Sequence, residues 1–324
     1  MAKRLSVLTG EGSTANGRLR KPAYEGKGMM PLKVGFVGTG TMGQPMALNI
    51  LKSQYALMVY NRTVEKTAVL TQAGALLADN PRQLAQWSDV IILMLTGPDA
   101  IDAVLEGRAG ILAGLSADKT LVNMSTVSPG YSRRLSARLQ AVSTAAIDAP
   151  VSGSRKPAEE GKLVILAGGP RARVSTVEPL LLAMGKKVVY CGEAGQGAAL
   201  KLTLNLLLAV MMEGFSEAVN FGERCGLSPE TIIDTILNGL LGCDLFHFKA
   251  GMLRNAAFPA QFALKHMSKD LGLVVETAMQ TGAVVPVARA AAQLYHEALT
   301  QNMGDMDFAA VKMVLERLSL SENP

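Results

Sequence analysis

The sequence predicts two domains of different class, a doubly wound α/β unit followed by an all-helical one, and three observations carry that expectation. From Lys33 to about Cys191, short runs rich in Val, Ile and Leu alternate with amphipathic stretches. After Gly195 those runs stop and long helical stretches take over. A chain of 324 residues, 49% of them hydrophobic, also has enough interior for two cores, since one domain usually takes about 100 to 200 residues.

The strand candidates of the first unit are KVGFVG, ALMVYN, DVIILML, TLVNMS, AAIDAP, LVILAGG and KVVYC. Runs this short and this apolar suit strands covered on both faces, as in a parallel sheet flanked by helices. Asp79-Asn80-Pro81 opens one of the intervening helices, with a capping side chain ahead of a proline at the first helical position. In the second unit the helical period covers about 196–225, 228–239, 262–281, 286–301 and 306–319. Ser228-Pro229-Glu230 starts the second of these with a cap, a proline and an acid in the first turn. The first would be roughly 45 Å long at about 1.5 Å per residue, longer than one small domain needs, so it is expected to bridge the two. Its segment LTLNLLLAVMM is apolar nearly all round, which calls for cover on several sides and favours a homodimer or homotetramer.

The expected boundaries are a leading segment 1–29, an α/β domain 30–193 and a helical domain 194–324. The leading segment is rich in Gly with little periodicity and reads as a disordered tail. Glu11, Glu25 and the glycines weigh against a transit peptide, and a start at Met29 or Met30 is equally open. No apolar core of signal length precedes a cleavage site, so a cytoplasmic location is expected.

Composition removes several classes of function. The net charge of +5 is concentrated in residues 1–29, with six bases and two acids, leaving 26 bases against 25 acids in the rest. No basic domain remains to follow a phosphate backbone, so nucleic acid is not an expected partner. The most apolar run, Leu206 to Met212, is far shorter than the roughly 20 residues of a membrane span and is expected to be a buried helix. Cys191, Cys225 and Cys243 are odd in number without CxxC spacing, and His247, His266 and His296 form no HxxxH pair. A reducing compartment and chemistry without a metal are therefore expected.

The run VGFVGTGTMG places Gly38, Gly40 and Gly43 in a GxGxxG pattern directly after a strand and before the helix MGQPMALNILKS. In that context the first glycine allows a tight turn, the second lets backbone approach a pyrophosphate and the third lets helix and strand pack closely. The loop Gly38, Thr39, Gly40, Thr41, Met42 and Gly43 is thus the candidate dinucleotide site of a Rossmann-like domain. The second strand ends VYNRT, without the acid that binds an NAD ribose. Arg62 instead offers charge-assisted bonds to a 2′-phosphate, with Asn61 and Thr63 as neutral donors, so NADP(H) is the expected cofactor.

The chain resembles the β-hydroxyacid dehydrogenase family, related to 3-hydroxyisobutyrate and 6-phosphogluconate dehydrogenases, from Lys33 to about Leu318. The resemblance is carried by the loop Gly38 to Gly43, by Asp148-Ala149-Pro150-Val151-Ser152-Gly153-Ser154, and by Gly197-Ala198-Ala199-Leu200-Lys201-Leu202-Thr203-Leu204-Asn205. PVSGSRKPAEEGKLVILAGG, FALKHMSKDLGLVVE and GDMDFAAV most resemble the glyoxylate and succinic semialdehyde reductases, with Ser154 where relatives acting on 3-hydroxyisobutyrate more often have a second glycine. The resemblance implies a helical second domain like that of 6-phosphogluconate dehydrogenase, and NADPH-dependent reduction of a small acidic aldehyde. It does not cover the leading segment.

Lys201 and Asn205 are four apart, so they project from one face of the first long helix. The resemblance makes Lys201 the proton donor and Asn205 its partner in positioning. An unperturbed lysine is protonated at neutral pH, which suits reduction, where a proton must meet the oxygen that gains charge. Ser152, Gly153 and Ser154 offer hydroxyls and backbone N–H groups for a substrate carboxylate. The resemblance further implies Thr126 near nicotinamide and substrate, Phe262 as a pocket wall, Asp270 orienting Lys201 or the cofactor, and Lys269 at the cofactor. Sibling substrates, 3-hydroxyisobutyrate and tartronate semialdehyde, stay open. Imine reduction and a non-catalytic cofactor-binding scaffold are further alternatives, both disfavoured by retention of Lys201 and Asn205.

Overall fold

The computed structural model describes residues 32–321, so the tail expected over 1–29 lies outside the described residues. Nine strands form one sheet: β1 Lys33–Val37, β2 Ala56–Tyr60, β3 Leu76–Leu77, β4 Val90–Leu93, β5 Thr120–Asn123, β6 Ala145–Asp148, β7 Val151–Ser152, β8 Leu163–Gly168 and β9 Gly185–Gly192. Their order is β3-β2-β1-β4-β5-β6-β8-β7, with β9 on β8. Side chains alternate between the two faces as strand geometry requires. Val90 and Ile92 join one apolar core with Phe36 and Ile50, while Ile91 and Leu93 join a second with Leu84 and Leu135.

The helices of this half are α1 Gly43–Lys52, α2 Ala68–Gln72, α3 Pro81–Trp87, α4 Pro98–Leu105, α5 Pro129–Gln140, α6 Arg155–Glu159 and α7 Arg171–Leu181. Asn80 caps α3 by accepting the Gln83 N–H at 2.9 Å. Strands β3 through β6 run parallel, and the order reverses at β1, which lies between β2 and β4. That reversal opens a crevice at the strand ends, where ligands of such sheets bind. The sheet departs from the expected parallel arrangement at one edge, where β8 runs antiparallel to both β6 and β7, and β9 is parallel to β8. A parallel return needs a crossover, usually a helix packed on the sheet. Between β6 and β8 the chain offers β7 and the five-residue α6, whereas α7 supplies the crossover from β8 to β9.

Beyond β9 the chain is helical: α8 Gln196–Arg224, α9 Pro229–Asn238, α10 Asp244–Asn255, α11 Leu264–Thr281, α12 Pro286–Thr300 and α13 Val311–Ser321. Ser228 caps α9 through the Thr231 N–H. Helix α10 is not among the expected helices, because FHFK alternates apolar and polar residues like a strand and Gly251 interrupts the helical period. Helix α8 is the spine of a third core, where Leu202, Ala209, Met212, Phe215 and Val219 pack with Leu271, Tyr295 and Val314. By length and composition alone it is long and apolar enough to cross a membrane, a test that the core helix of a folded protein also passes. The polar residues that break its apolar runs stand singly, so the average stays high. Within this fold its buried stripe is engaged by the other helices.

Candidate active site

The three glycines of the GTGTMG loop do different work. Gly38 has φ +98°, and a Cβ there would lie 2.2 Å from the Met94 carbonyl oxygen, so only glycine makes this turn. At Gly43 a Cβ would lie 1.9 Å from the Gly38 carbonyl oxygen, where α1 packs against the loop. Gly40 is exposed, and nothing stands within 4 Å of the place its Cβ would take. Helix α1 starts here with no side-chain cap and no acid in its first turn, which leaves its partial positive charge to an anionic ligand. The loop therefore fits a dinucleotide pyrophosphate. Gly43→Ala is expected to lower the melting temperature, whereas Gly40→Ala should keep the fold and weaken cofactor binding; thermal melts and cofactor titrations of both variants check this split.

Thr39 is buried, its N–H donating to Asn61 Oδ1 at 3.1 Å and its hydroxyl lacking a partner among the described residues. Asn61 Nδ2 donates in turn to the Thr63 carbonyl at 2.8 Å. Asn61 is thus a strut between the glycine loop and the end of β2, with its amide oxygen and one of its two amide N–H groups engaged internally. Arg62 and Thr63 are exposed beside it, and Thr41 is exposed at the loop itself, with Met42 half-buried.

On α8, Lys201 is half-buried and has neither an ion pair nor a hydrogen bond among the described residues. Burial lowers its pKa, the Asp270 carboxylate pulls it back up, and the Lys269 ammonium lowers it further. Asn205, one turn on, is buried and donates from Nδ2 to Asp270 Oδ2 at 2.6 Å. Asp270 Oδ1 forms an ion pair with Lys269 Nζ at 2.9 Å. Lys269 also donates to the Thr126 carbonyl at 2.9 Å, tying α11 to the loop after β5. Asn205, Asp270, Lys269 and Thr126 therefore form one network, which adjoins Lys201. Within it Asp270 orients Asn205 by a direct bond and acts on Lys201 through its charge, and Lys269 is engaged by protein groups.

Ser152 ends β7, Gly153 follows with φ +134°, and Ser154 precedes α6 without a side-chain cap bond. A Cβ on Gly153 would meet Leu163 Cδ2 at 2.8 Å. Asn49 of α1 donates to the Ala158 carbonyl at 2.7 Å, so the cofactor helix braces this segment. Phe262 is half-buried against Phe308, with ring centroids 5.8 Å apart, and against His266. Its N–H and that of Gln261 donate to Asp307 Oδ2, while Lys249 Nζ lies 2.7 Å from Asp307 Oδ1.

Two carboxylates were not singled out for a role by sequence reasoning. Asp307 holds the segment that carries Phe262. Asp148, at the end of β6, accepts the Gly195 N–H on Oδ1 and the Ala198 N–H on Oδ2, both at 2.7 Å. Burial pushes its carboxyl pKa up, and the N–H groups of Gly195, Ala198 and Gly197 hold it down. Helix α8 has no capping side chain of its own and no acid in its first turn. The available signal was the helix start without a cap, whose first N–H groups need an acceptor from outside the helix.

Residues 33–192 match the NAD-binding domain of 6-phosphogluconate dehydrogenase, and residues 195–315 match the NAD-binding model of NADP-dependent 3-hydroxyisobutyrate dehydrogenase. Over 280 residues the chain is 34% identical to glyoxylate/succinic semialdehyde reductase 2 of Arabidopsis thaliana, covering 86% of this chain and 78% of that protein. It is 33% identical to the mitochondrial 3-hydroxyisobutyrate dehydrogenase of Mus musculus, over 86% of this chain and 85% of the relative. The fold superposes with a TM-score of 0.81 on a Mycobacterium tuberculosis 3-hydroxyisobutyrate dehydrogenase solved with L-serine, at 27% identity, covering 88% of this chain and 99% of the other.

Proposed function

The chain belongs to the β-hydroxyacid dehydrogenase family of NAD(P)-dependent oxidoreductases acting on CH–OH groups, and from that premise we propose that it reduces small acidic aldehydes, glyoxylate and succinic semialdehyde, with NADPH. The observation that carries the reading is Lys201, half-buried and without an ion pair among the described residues, adjoining a network that reaches from α8 to the loop after β5. NADPH, when bound, supplies the hydride. As the substrate oxygen gains negative charge, Lys201 Nζ donates the proton that completes the alcohol. Asn205, fixed by Asp270, holds the substrate or the ammonium in line. Ser152, Gly153 and Ser154 offer donors to the carboxylate, and Phe262 walls the pocket.

The preference for NADPH is supported by Arg62, exposed at the end of β2 where no acid stands. Leu204, Leu207 and Phe221 expose apolar surface along α8, which supports assembly as a homodimer or homotetramer. The three free cysteines suit a reducing, cytoplasmic setting. The test follows NADPH and NADH consumption with glyoxylate, succinic semialdehyde, tartronate semialdehyde and methylmalonate semialdehyde. Fast turnover of the first two with NADPH is expected, and preference for another acid would move the substrate while keeping the mechanism. Arg62→Ala is expected to raise the KM for NADPH and leave that for NADH unchanged; an unchanged NADPH KM would remove Arg62 from the cofactor site.

A further inference from the structure

Asn123 and Asp148 are register partners at the ends of the parallel strands β5 and β6. Beside them lies a cavity of about 10 Å³, lined by Asn123, Ser132, Ile147, Asp148 and Ala194 among others. A space of that size holds one water when at least two polar groups face it. Asn123 Nδ2 and Ser132 Oγ are both buried, and neither has a hydrogen-bond partner among the described residues.

The polar side chains of this cavity come from three elements, Asn123 at the end of β5, Asp148 at the end of β6, and Ser132 and Ser136 on α5. Asn123 Oδ1 accepts the Ser125 N–H at 3.1 Å, and Ser125 Oγ accepts the Leu95 N–H at 2.8 Å, so Asn123 shapes the loop that carries Thr126. Asp148 holds the start of α8, three residues from Lys201 at its nearer contact, Ala198. We propose that the cavity binds one ordered water joining Asn123, Ser132 and Asp148, and that Asp148 is a positioning residue that sets where α8 presents Lys201 relative to the Thr126 loop.

On the side of α8 and β8 the backbone packs tightly around the carboxylate. A Cβ on Gly197 would lie 2.2 Å from the Leu166 carbonyl oxygen, and one on Gly168 would lie 2.7 Å from the Gly197 nitrogen. Gly195 meets the carboxylate in the left-handed region, at φ +91°. A charged acceptor at the positive end of a 29-residue helix is favoured by the helix dipole as well as by its hydrogen bonds. A small displacement here moves the second turn of α8, where Lys201 lies, and misplacement by about 1 Å can cost on the order of a hundredfold in rate.

The inference rests on Lys201 acting as proton donor, so Lys201→Met is assayed in parallel. Asp148→Asn keeps the shape of the side chain but loses the charge and one of the two acceptors for backbone N–H. Its kcat for aldehyde reduction is expected to fall by about ten- to a hundredfold with the KM for NADPH unchanged. Displacement of Lys201 out of its buried surroundings should move the alkaline limb of the kcat profile to higher pH, because burial is the largest effect lowering its pKa. Ser132→Ala removes one partner of the water and should shift the same limb in the same direction, with a smaller loss of kcat. A crystal structure of the wild-type protein should show one water within hydrogen-bond distance of Ser132 Oγ, Asn123 Nδ2 and an Asp148 oxygen. A wild-type kcat and pH profile in Asp148→Asn, or a dry cavity in a structure that resolves other buried waters, would overturn the proposal. Should Asp148→Asn fail to fold, an unchanged pH profile in Ser132→Ala overturns it. Turnover retained by Lys201→Met would instead condemn the assignment of the proton donor.

Discussion

Lys201→Met is expected to lower kcat for aldehyde reduction by about 10²- to 10⁴-fold, the range of a positioned proton donor, while leaving the NADPH dissociation constant unchanged. The split follows from position. Lys201 lies on α8, and the cofactor loop lies on β1 and α1, which keep their own packing. Steady-state assays with fluorescence titration of NADPH separate the two effects, and retained turnover would sink the mechanism. The wild-type pH profile has a definite sign. Reduction needs the protonated ammonium, so its rate should fall as pH rises through the Lys201 pKa. Because burial lowers that pKa, with Asp270 only partly offsetting it, the fall should begin below the ordinary lysine range. Oxidation of the alcohol needs the neutral amine and should rise over the same interval.

Asp307→Ala should produce the largest loss of stability. Asp307 is completely buried and Lys249 nearly so, and their ion pair at 2.7 Å is reinforced by N–H groups of Gln261, Phe262 and Ala309. Removing one partner leaves an uncompensated buried ammonium, a cost of about 3–5 kcal/mol. Burial already lowers the Lys249 pKa even with Asp307 present. Urea denaturation should show the loss directly, and Lys249→Met added to Asp307→Ala should recover part of it, because no buried charge then remains. The single variant should also raise the KM for the aldehyde, since Asp307 holds the segment carrying Phe262. A midpoint equal to the wild type would show that the pair is not buried in solution.

Much of the architecture was legible because it is local. The GxGxxG loop, the caps at Asn80 and Ser228, and the placement of Lys201 and Asn205 on one helix face depend on neighbours within a few residues. Such neighbours are set by backbone geometry. The same locality misled at α10, where FHFK has the period of a strand. There the decision came from tertiary contact, with Lys249 turned inward onto Asp307.

The sequence by itself determined the succession of α/β and helical halves, the glycine loop that can meet a pyrophosphate, the absence of an acid at the end of β2, and a lysine and an asparagine on one face of the longest helix. Tertiary structure alone decided the reversal of β8, the bond from Asn205 to Asp270 across 65 residues, the reach of Lys269 to Thr126 across 143, and the capping of α8 by Asp148. The physical reason is the same in each case: a buried polar group must find a partner, but which partner depends on how separate layers pack, and no local spacing encodes that.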